Sequence, residues 1–557
     1  MRSGTVVGLS AVLTALVLGA ALASYPGPAT GDPERPAVIS DTTWVDHDGQ
    51  PIPRPPDWEP DFYGHLFHDA IAEPLSHAFD VPDKLLALAD ALGAHSKREA
   101  VNVNAFDEVP NSTWFTNRNH VRAVPVSQLL LGPDSTLLPE KPWTIKHPKK
   151  GGTTPGFEIK DAAGRKWLVK LDWVGYPQLS SGADMIARTL LHAAGYNVPH
   201  NEPVRFRRED LVIDPRLLRP GKGERLTEAN LDSMLARGAV TEQGEYWATS
   251  SLFLPGHALG SLSMSRRRPG DLNDWYSHTG RRELRGLYVV SSWLNFWDTK
   301  DANFLDMFDS TGTGAGRGYV KHYILDPGSS LGATADGKKR LQDGYEAAID
   351  LGWNARRFLT LGFAVEPWRR AHQETDVPSV GRLESSVFRP DKFAPGVPDP
   401  AFREMTDRDA YWGAKIVASF SDAQIRAAVD AAHYEDPRAP PILVQNLIER
   451  RNKIARYWFG KVAPLDFFEV RGGALHFHDL AVDMGLNAAR HYSACIEFGR
   501  GQRRIVPLAS PDLALQGLEG SAAFSIELSV DGDRAKPAHV DIARRGAEWV
   551  VTGVRHG

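Results

Sequence analysis

A single cysteine, Cys495, serves a chain of 557 residues. No internal disulfide can form, so packing and polar contacts alone must hold the fold. A lone thiol with no base beside it reads as a small apolar group rather than a nucleophile. Charge of one sign is also scarce. The net charge is −5 and no long basic stripe occurs, which excludes a general nucleic-acid binder. Neither Gly-x-Ser-x-Gly nor His-Glu-x-x-His is present, so the serine-hydrolase elbow and the zincin helix have no support. Long apolar runs are missing with one exception. Arg2 precedes an apolar stretch, Thr5–Ala23, which closes on Ala21-Leu22-Ala23 before Tyr25-Pro26-Gly27-Pro28. That is the layout of an export signal with a small-residue cleavage site, and its length also suits an uncleaved anchor. The body is therefore expected outside the cytoplasm: periplasmic, secreted, or tethered to a membrane through residues 1–24.

What is present is ordinary globular composition, 42% apolar and 24% charged, in a chain too long for one core. Residues 25–60 are rich in Pro, Asp and Gly and read as a linker. An N-terminal extension is expected over 61–142. Its first part is helical by spacing: Ile71, Leu75 and Phe79, then Leu85, Leu86, Leu88 and Leu92, with a break at Pro82-Asp83. Over 143–250 the pattern changes. Phe157, Ile159, Trp167, Val169 and Leu171 alternate about a turn at 161–164, which predicts a β-hairpin. A helix is expected from Gly182 to Ala194, stopped by Gly195. Over 251–465, a helix is expected at 281–296, a short strand before Pro327-Gly328, and a capping box at Ser421–Gln424. A long amphipathic helix through Val444, Leu447, Ile454 and Trp458 follows. Residues 466–557 read as β, a small C-terminal domain. No internal repeat occurs.

One constellation has the order that phosphoryl transfer requires, where positioning of charge does most of the work. Gly151, Gly152, Thr153, Thr154 and Gly156 form a flexible turn whose backbone N–H groups can approach phosphates. Lys170 lies on the hairpin between Val169 and Leu171, and an inward lysine there needs an anion. Asp184, expected to open the next helix, is placed to pair with it. Asp298 and Asn303 have the spacing of a catalytic acid/base and a metal-holding amide, and Asp326-Pro-Gly328 follows an apolar strand as a metal-binding Asp-x-Gly does. Each piece has a plainer explanation. Lys170 can snorkel at a sheet edge, the glycines can be a hairpin loop, Asp298 and Asn303 can cap, and Asp326 can open a turn. Of the other acceptors in Asn295–Phe308, Asp301 and Asp306 are expected to cap and solvate the loop, and Asn295 to brace it. His65-x-x-His68-Asp69 has metal-like spacing without a third ligand, and His476 and His478 share a strand face as exposed histidines.

The stretches 102–118, 153–172, 193–199, 281–295, 322–332 and 407–425 resemble a group of exported bacterial proteins of unassigned function. That group is similar to the atypical kinases: the phosphatidylinositol-kinase-like, HipA-like and CotH-like proteins. The resemblance covers roughly 145–460. It implies an α+β, two-lobed protein-kinase-like fold, with an N-terminal helical extension and a C-terminal β domain, that binds ATP and Mg²⁺ between the lobes. Under it, Lys170 would hold the phosphates, Asp298 would be the catalytic acid/base, and Asn303 and Asp326 would hold metal. The acceptor, a protein, lipid or small-molecule hydroxyl, stays open, as do a catalytically inactive scaffold and a nucleotidyltransferase on the same fold. Two departures stand out. Phe296 and Trp297, not a His or Arg, precede Asp298, and the helix acid is Asp184 rather than a glutamate.

Overall fold

The computed structural model describes residues 47–58, 97–133, 137–149, 153–218, 226–312, 314, 316–347, 351–363, 365–371, 376–397, 399–498, 501–518 and 521–557. The expected signal or anchor, most of the linker, the helical pattern of 61–96, His65 and His68, and Gly151 and Gly152 lie outside these residues. Among the described residues no helix is long and apolar enough to cross a membrane. The described part of the extension, 97–133 and 137–142, is irregular apart from one helix, Val126–Leu131. The expectation of a helical extension is corrected over these residues: Asn and Ser side chains accept from nearby backbone N–H groups and hold turns instead, as Asn104 does from Phe106 and Glu108 and Ser112 does from Trp114 and Phe115.

Strands β1 (Trp143–Pro148), β2 (Gly156–Lys160) and β3 (Lys166–Leu171) lead to helix α1 (Leu179–Ala194), β4 (Asn201–Phe206), β5 (Leu211–Ile213) and β6 (Tyr246–Leu252). They form one sheet in the order β4-β6-β3-β2-β1-β5, antiparallel except where β1 meets β5. The hairpin register pairs Ile159 with Trp167 and Phe157 with Val169. With a period of two, these side chains share one face and bury a core with Trp143, Ile145, Phe206, Leu231 and Leu235. The expected boundary at 250 falls inside β6. Helix α1 starts three residues before the expected Gly182. Asp172 is the reason: its buried carboxylate accepts from the N–H groups of Gln178, Ser180 and Ser181 and from the Ser181 hydroxyl. It caps the helix from a turn upstream, where no local capping rule looks.

A second group of elements shares a core with α1: α2 (Arg282–Leu294), β8 (Phe304–Asp309), β9 (Arg317–Ile324), α3 (Asp407–Ala418), α4 (Asp422–Asp430) and α5 (Ala439–Trp458), while β7 (His257–Gly260) pairs with β8 over a small core of its own. The capping box at Ser421–Gln424 forms as expected. Helices α2 and α3 approach closely because both present glycine at the crossing. A Cβ on Gly286 would stand 2.7 Å from Trp412, and one on Gly413 would stand 2.8 Å from the Gly286 carbonyl. The remaining strands are β10 (Leu465–Arg471), β11 (Ala474–Asp479), β12 (Tyr492–Phe498), β13 (Gln502–Leu508), β14 (Asp512–Ala514), β15 (Ala523–Val530), β16 (Asp533–Arg545) and β17 (Glu548–His556). They form sheets β10-β11-β14 and β13-β12-β15-β16-β17 over a core of their own. Cys495 is half-buried on β12, and His476 and His478 pair with Asp512 and Asp483.

A buried ionic network ties these parts together. Asp107 takes Arg282 at 2.6 Å, Arg408 at 2.7 Å and His556 Nδ1 at 3.0 Å. Asp409 takes Arg282 at 3.0 Å and Arg285 at 2.9 Å. Lys415 bridges Glu108 and Asp466, and Tyr411 stacks against His556 with ring centres 4.5 Å apart. Beside the network lies His120, whose ring is buried between Phe115 and Trp412 with neither nitrogen hydrogen-bonded among the described residues.

Burial holds the His120 pKa down from 6.5 to about 4. An unfolded chain binds that proton below 6.5 and the folded one refuses it, so the contribution is fully present above pH 6.5 and lost as pH falls toward 4. The span is worth about 3 kcal/mol. Urea unfolding at pH 7 and pH 4.5 tests it. The loss on acidification is expected to be smaller in His120→Phe than in the wild type, and equal losses would refute the assignment.

Candidate functional site

Because Val169 and Leu171 face the sheet core, Lys170 projects from the opposite face of β3, toward α1. Its Nζ lies 2.9 Å from Asp326 Oδ1 and 3.4 Å from Asp184 Oδ2. Burial alone would drive the proton off this amine. Asp326 and Asp184 together outweigh burial and raise its pKa above the ordinary lysine range, so the ammonium is fixed. Asp184 is corrected from the opening turn of the helix to its second turn, since Asp172 starts α1 earlier. Its Oδ1 accepts from Asn201 Nδ2 at 2.7 Å, while Oδ2 has only the charge contact with Lys170. Burial leaves its pKa raised despite Lys170. Asp326 resists burial with the help of Lys170, and its pKa is lowered. Its side chain is 42% exposed, unlike Asp184 at 1%, so it is the carboxylate that meets solvent.

The Asp326-Pro-Gly328 turn reaches α1 because residue 328 has no side chain. A Cβ there would stand 3.3 Å from Ser180 Oγ and 3.6 Å from Asp184 Cβ. The glycine-rich segment joins β1 to β2, and a backbone bond from Leu171 N to Pro155 O, 2.9 Å, holds its end beside Lys170. A Cβ on Gly156 would meet the Val169 carbonyl at 2.3 Å. Gly156→Ala is therefore expected to push the loop off β3, costing about 1–3 kcal/mol of stability; denaturant midpoints check it, and an unchanged midpoint would contradict it. Thr154 lies alongside Lys149, whose Nζ donates to its carbonyl at 3.4 Å. Burial and Lys170 lower the Lys149 pKa while Asp326 pulls the other way. Sequence reasoning passed over Lys149, although Pro148-Lys149-Lys150 directly before the glycines is the signal for it.

Helix α2 ends on Asn295 in the left-handed conformation, φ 50°, and releases the segment that carries Asp298. Asn303 closes that segment: its Nδ2 donates to the Asp298 carbonyl at 2.6 Å. Its own carbonyl accepts from Leu325 N at 2.8 Å, which sets it beside Asp326. The Asp298 carboxylate pairs with Lys300 at 3.1 Å. Asp301, expected to cap and solvate the loop, accepts from Met264 N at 3.1 Å. Asp306 is corrected. It does not solvate the loop but is 1% exposed on β8, held at 2.7 Å by both Arg268 and His322. The alternation of β8 turns it inward, and two long-range partners invisible to local spacing satisfy it.

Lys170, Asp184 and Asp326 thus meet directly, Asn303 adjoins them through Leu325, and Asp298 joins through Asn303. Thr153, Thr154 and Gly156 belong to the loop that Leu171 anchors beside Lys170. The additions that sequence reasoning missed are Asp172, Asn201, Lys149 and Lys339, whose buried ammonium bonds the carbonyls of Asn295 and Ser329.

No family model matches this chain, and no curated protein matches its sequence. Among solved structures it is similar to the Golgi casein kinase with Mn and ADP bound, at 11% identity over 62% of this chain and 80% of that one, with a TM-score of 0.27. A second structure of the Golgi casein kinase gives 11% identity over 60% of this chain and 73% of that one, with a TM-score of 0.26. At such scores the chain's own side chains must carry any functional reading.

Proposed function

We propose that this protein is an exported, two-lobed atypical kinase-like phosphotransferase, which moves phosphate from Mg²⁺-ATP to a hydroxyl acceptor. The observation that carries the reading is Lys170 on the third strand of an antiparallel sheet, tied at once to a helix carboxylate, Asp184, and to the aspartate of Asp326-Pro-Gly328. A strand lysine oriented by a helix acid, next to a metal-binding Asp and an Asn, is the arrangement that phosphoryl transfer uses. The oxygen donors suit magnesium. Asp326 offers a solvent-reaching carboxylate, and the Asn303 amide, with its N–H₂ committed to Asp298, has its carbonyl oxygen left to bind. Among the described residues no three His, Cys, Asp or Glu side chains gather as a metal site, so Asp326 and Asn303 would share the ion with nucleotide phosphates, as magnesium sites commonly do. When bound, the ion would neutralise charge on the transferring group. Lys170 would then turn from Asp326 toward the phosphates, the Thr153–Gly156 backbone would cover them, and Asp298 would take the acceptor proton.

Thermal shift with Mg²⁺-ATP tests this. Nucleotide at about 100 times its Kd stabilises by about 2.7 kcal/mol, enough to raise the melting temperature visibly. The shift is expected in the wild type and absent in Lys170→Ala; no shift in a folded wild type would sink the proposal. One observation favours a second reading, an inactive scaffold of the same fold. Lys170 and Asp298 are each already paired, with Asp326 and Lys300. That reading expects no shift with nucleotide.

A further inference from the structure

Lys339 is 1% exposed and follows a short antiparallel ladder, Ala333–Thr334 with Gly337–Lys338. Its Nζ donates to the carbonyls of Asn295 and Ser329, each at 2.7 Å. Neither partner is charged, and no carboxylate stands within ion-pair distance of it among the described residues. Asp343 and Asp298 act on it from farther off, against Arg450, and the Trp297 ring centre lies 5.8 Å away. Burial pulls its pKa down from 10.5 to about 7. An interior ammonium answered only by neutral groups is costly, and a fold indifferent to it would use an apolar side chain there.

What the amine touches explains it. Asn295 ends α2 and opens the segment bearing Asp298, and Ser329 ends the turn that Asp326 opens. A backbone bond from Leu331 N to Leu294 O, 2.7 Å, accompanies this tie at the same end of the two segments, and one from Leu325 N to Asn303 O, 2.8 Å, joins them at the other end. The residues just before Asp298 are Phe296 and Trp297, and the segment's own cation, Lys300, follows Asp298 and pairs with its carboxylate rather than bracing the segment's start. We propose that Lys339 is a positioning residue: it clamps the Asp298 segment to the Asp326 turn and supplies, from farther along the chain, the basic group missing before Asp298.

The catalytic part of this inference rests on the phosphotransferase reading; the clamp itself does not. Hydrogen exchange on the full chain, wild type against Lys339→Met, reads the clamp without any activity. Amides of 295–303 and 326–332 are expected to exchange about 10-fold faster in the variant while those of α3 and α5 do not change, with a melting temperature within about 3 °C. In turnover, kcat is expected to fall about 10–100-fold with KM for ATP within about two-fold, because Lys170, Asp184 and Asp326 keep their contacts. Lys339→Gln, which retains two N–H donors, should recover part of both losses, and it replaces Lys339→Met as the test if the latter does not fold. Unchanged exchange in both segments, or faster exchange spread evenly over the protein, overturns the clamp. A wild type without a Mg²⁺-ATP shift instead sinks the phosphotransferase reading, and exchange still decides whether Lys339 clamps.

Discussion

Asp326→Asn is expected to lower ATP turnover by about 10²–10³-fold, the size of effect seen when one preorganised charge partner is removed from a reacting centre. The substitution is nearly isosteric. Its amide oxygen can still accept from Lys170, and Lys170 keeps Asp184 at 3.4 Å, so the ammonium does not become an orphan. What disappears is the negative charge that would hold magnesium, and the solvent-reaching position of Asp326 means that little packing is disturbed. Melting temperature should therefore move by only about 3 °C or less. Steady-state ATP hydrolysis or transfer measured with both proteins decides the matter. Normal turnover by the variant would remove Asp326 from the reaction and with it the phosphotransferase reading.

The largest expected effect on stability lies elsewhere, at Asp409. Its carboxylate takes Arg282 Nε at 3.0 Å and Arg285 Nη1 at 2.9 Å, and it also closes the N-terminal box of α3 with Thr406. All three charged side chains are 2% exposed or less. Asp409→Ala leaves the buried Arg285 without its carboxylate partner and Arg282 with Asp107 alone, for an expected loss of about 3–5 kcal/mol in urea unfolding. Removing an arginine as well should restore much of this. Asp409→Leu combined with Arg285→Leu is expected to be the more stable of the two proteins, because paired deletion leaves fewer unanswered charges. If Asp409→Ala unfolds at the wild-type midpoint, the network contributes nothing and serves only to orient the helices.

Much of this was legible in the amino acids, for a physical reason. The Phe157–Leu171 hairpin, the amphipathic stripe of α5 and the Ser421 box are local patterns, fixed by neighbours a few residues away, and the structure has them where the spacing puts them. Lys170 could be singled out because alternation left a cation on a face that needed an anion. The errors at the site involve partners outside the local window that spacing rules read. Asp184 looked like a helix opener because nothing local announces that Asp172 caps α1. Asp306 looked like a loop acceptor because Arg268, from the segment after β7, and His322, from β9, approach it across the fold. Lys339 was passed over entirely, since a lysine among Gly-Lys-Lys-Arg looks like surface until the carbonyls of Asn295 and Ser329 are brought to it.

Asp107 lies early in the chain and His556 lies 449 positions later, yet the two are hydrogen-bonded in the interior. A chain that emerges N-terminal end first, from a ribosome or through a translocation pore, presents the Asp107 carboxylate long before the imidazole that answers it exists. Until then Asp107 has Arg282 and Arg408 as its charged partners and lacks the hydrogen bonds that His556 adds. The set of contacts around Asp107 is completed only by β17, the last strand of the chain.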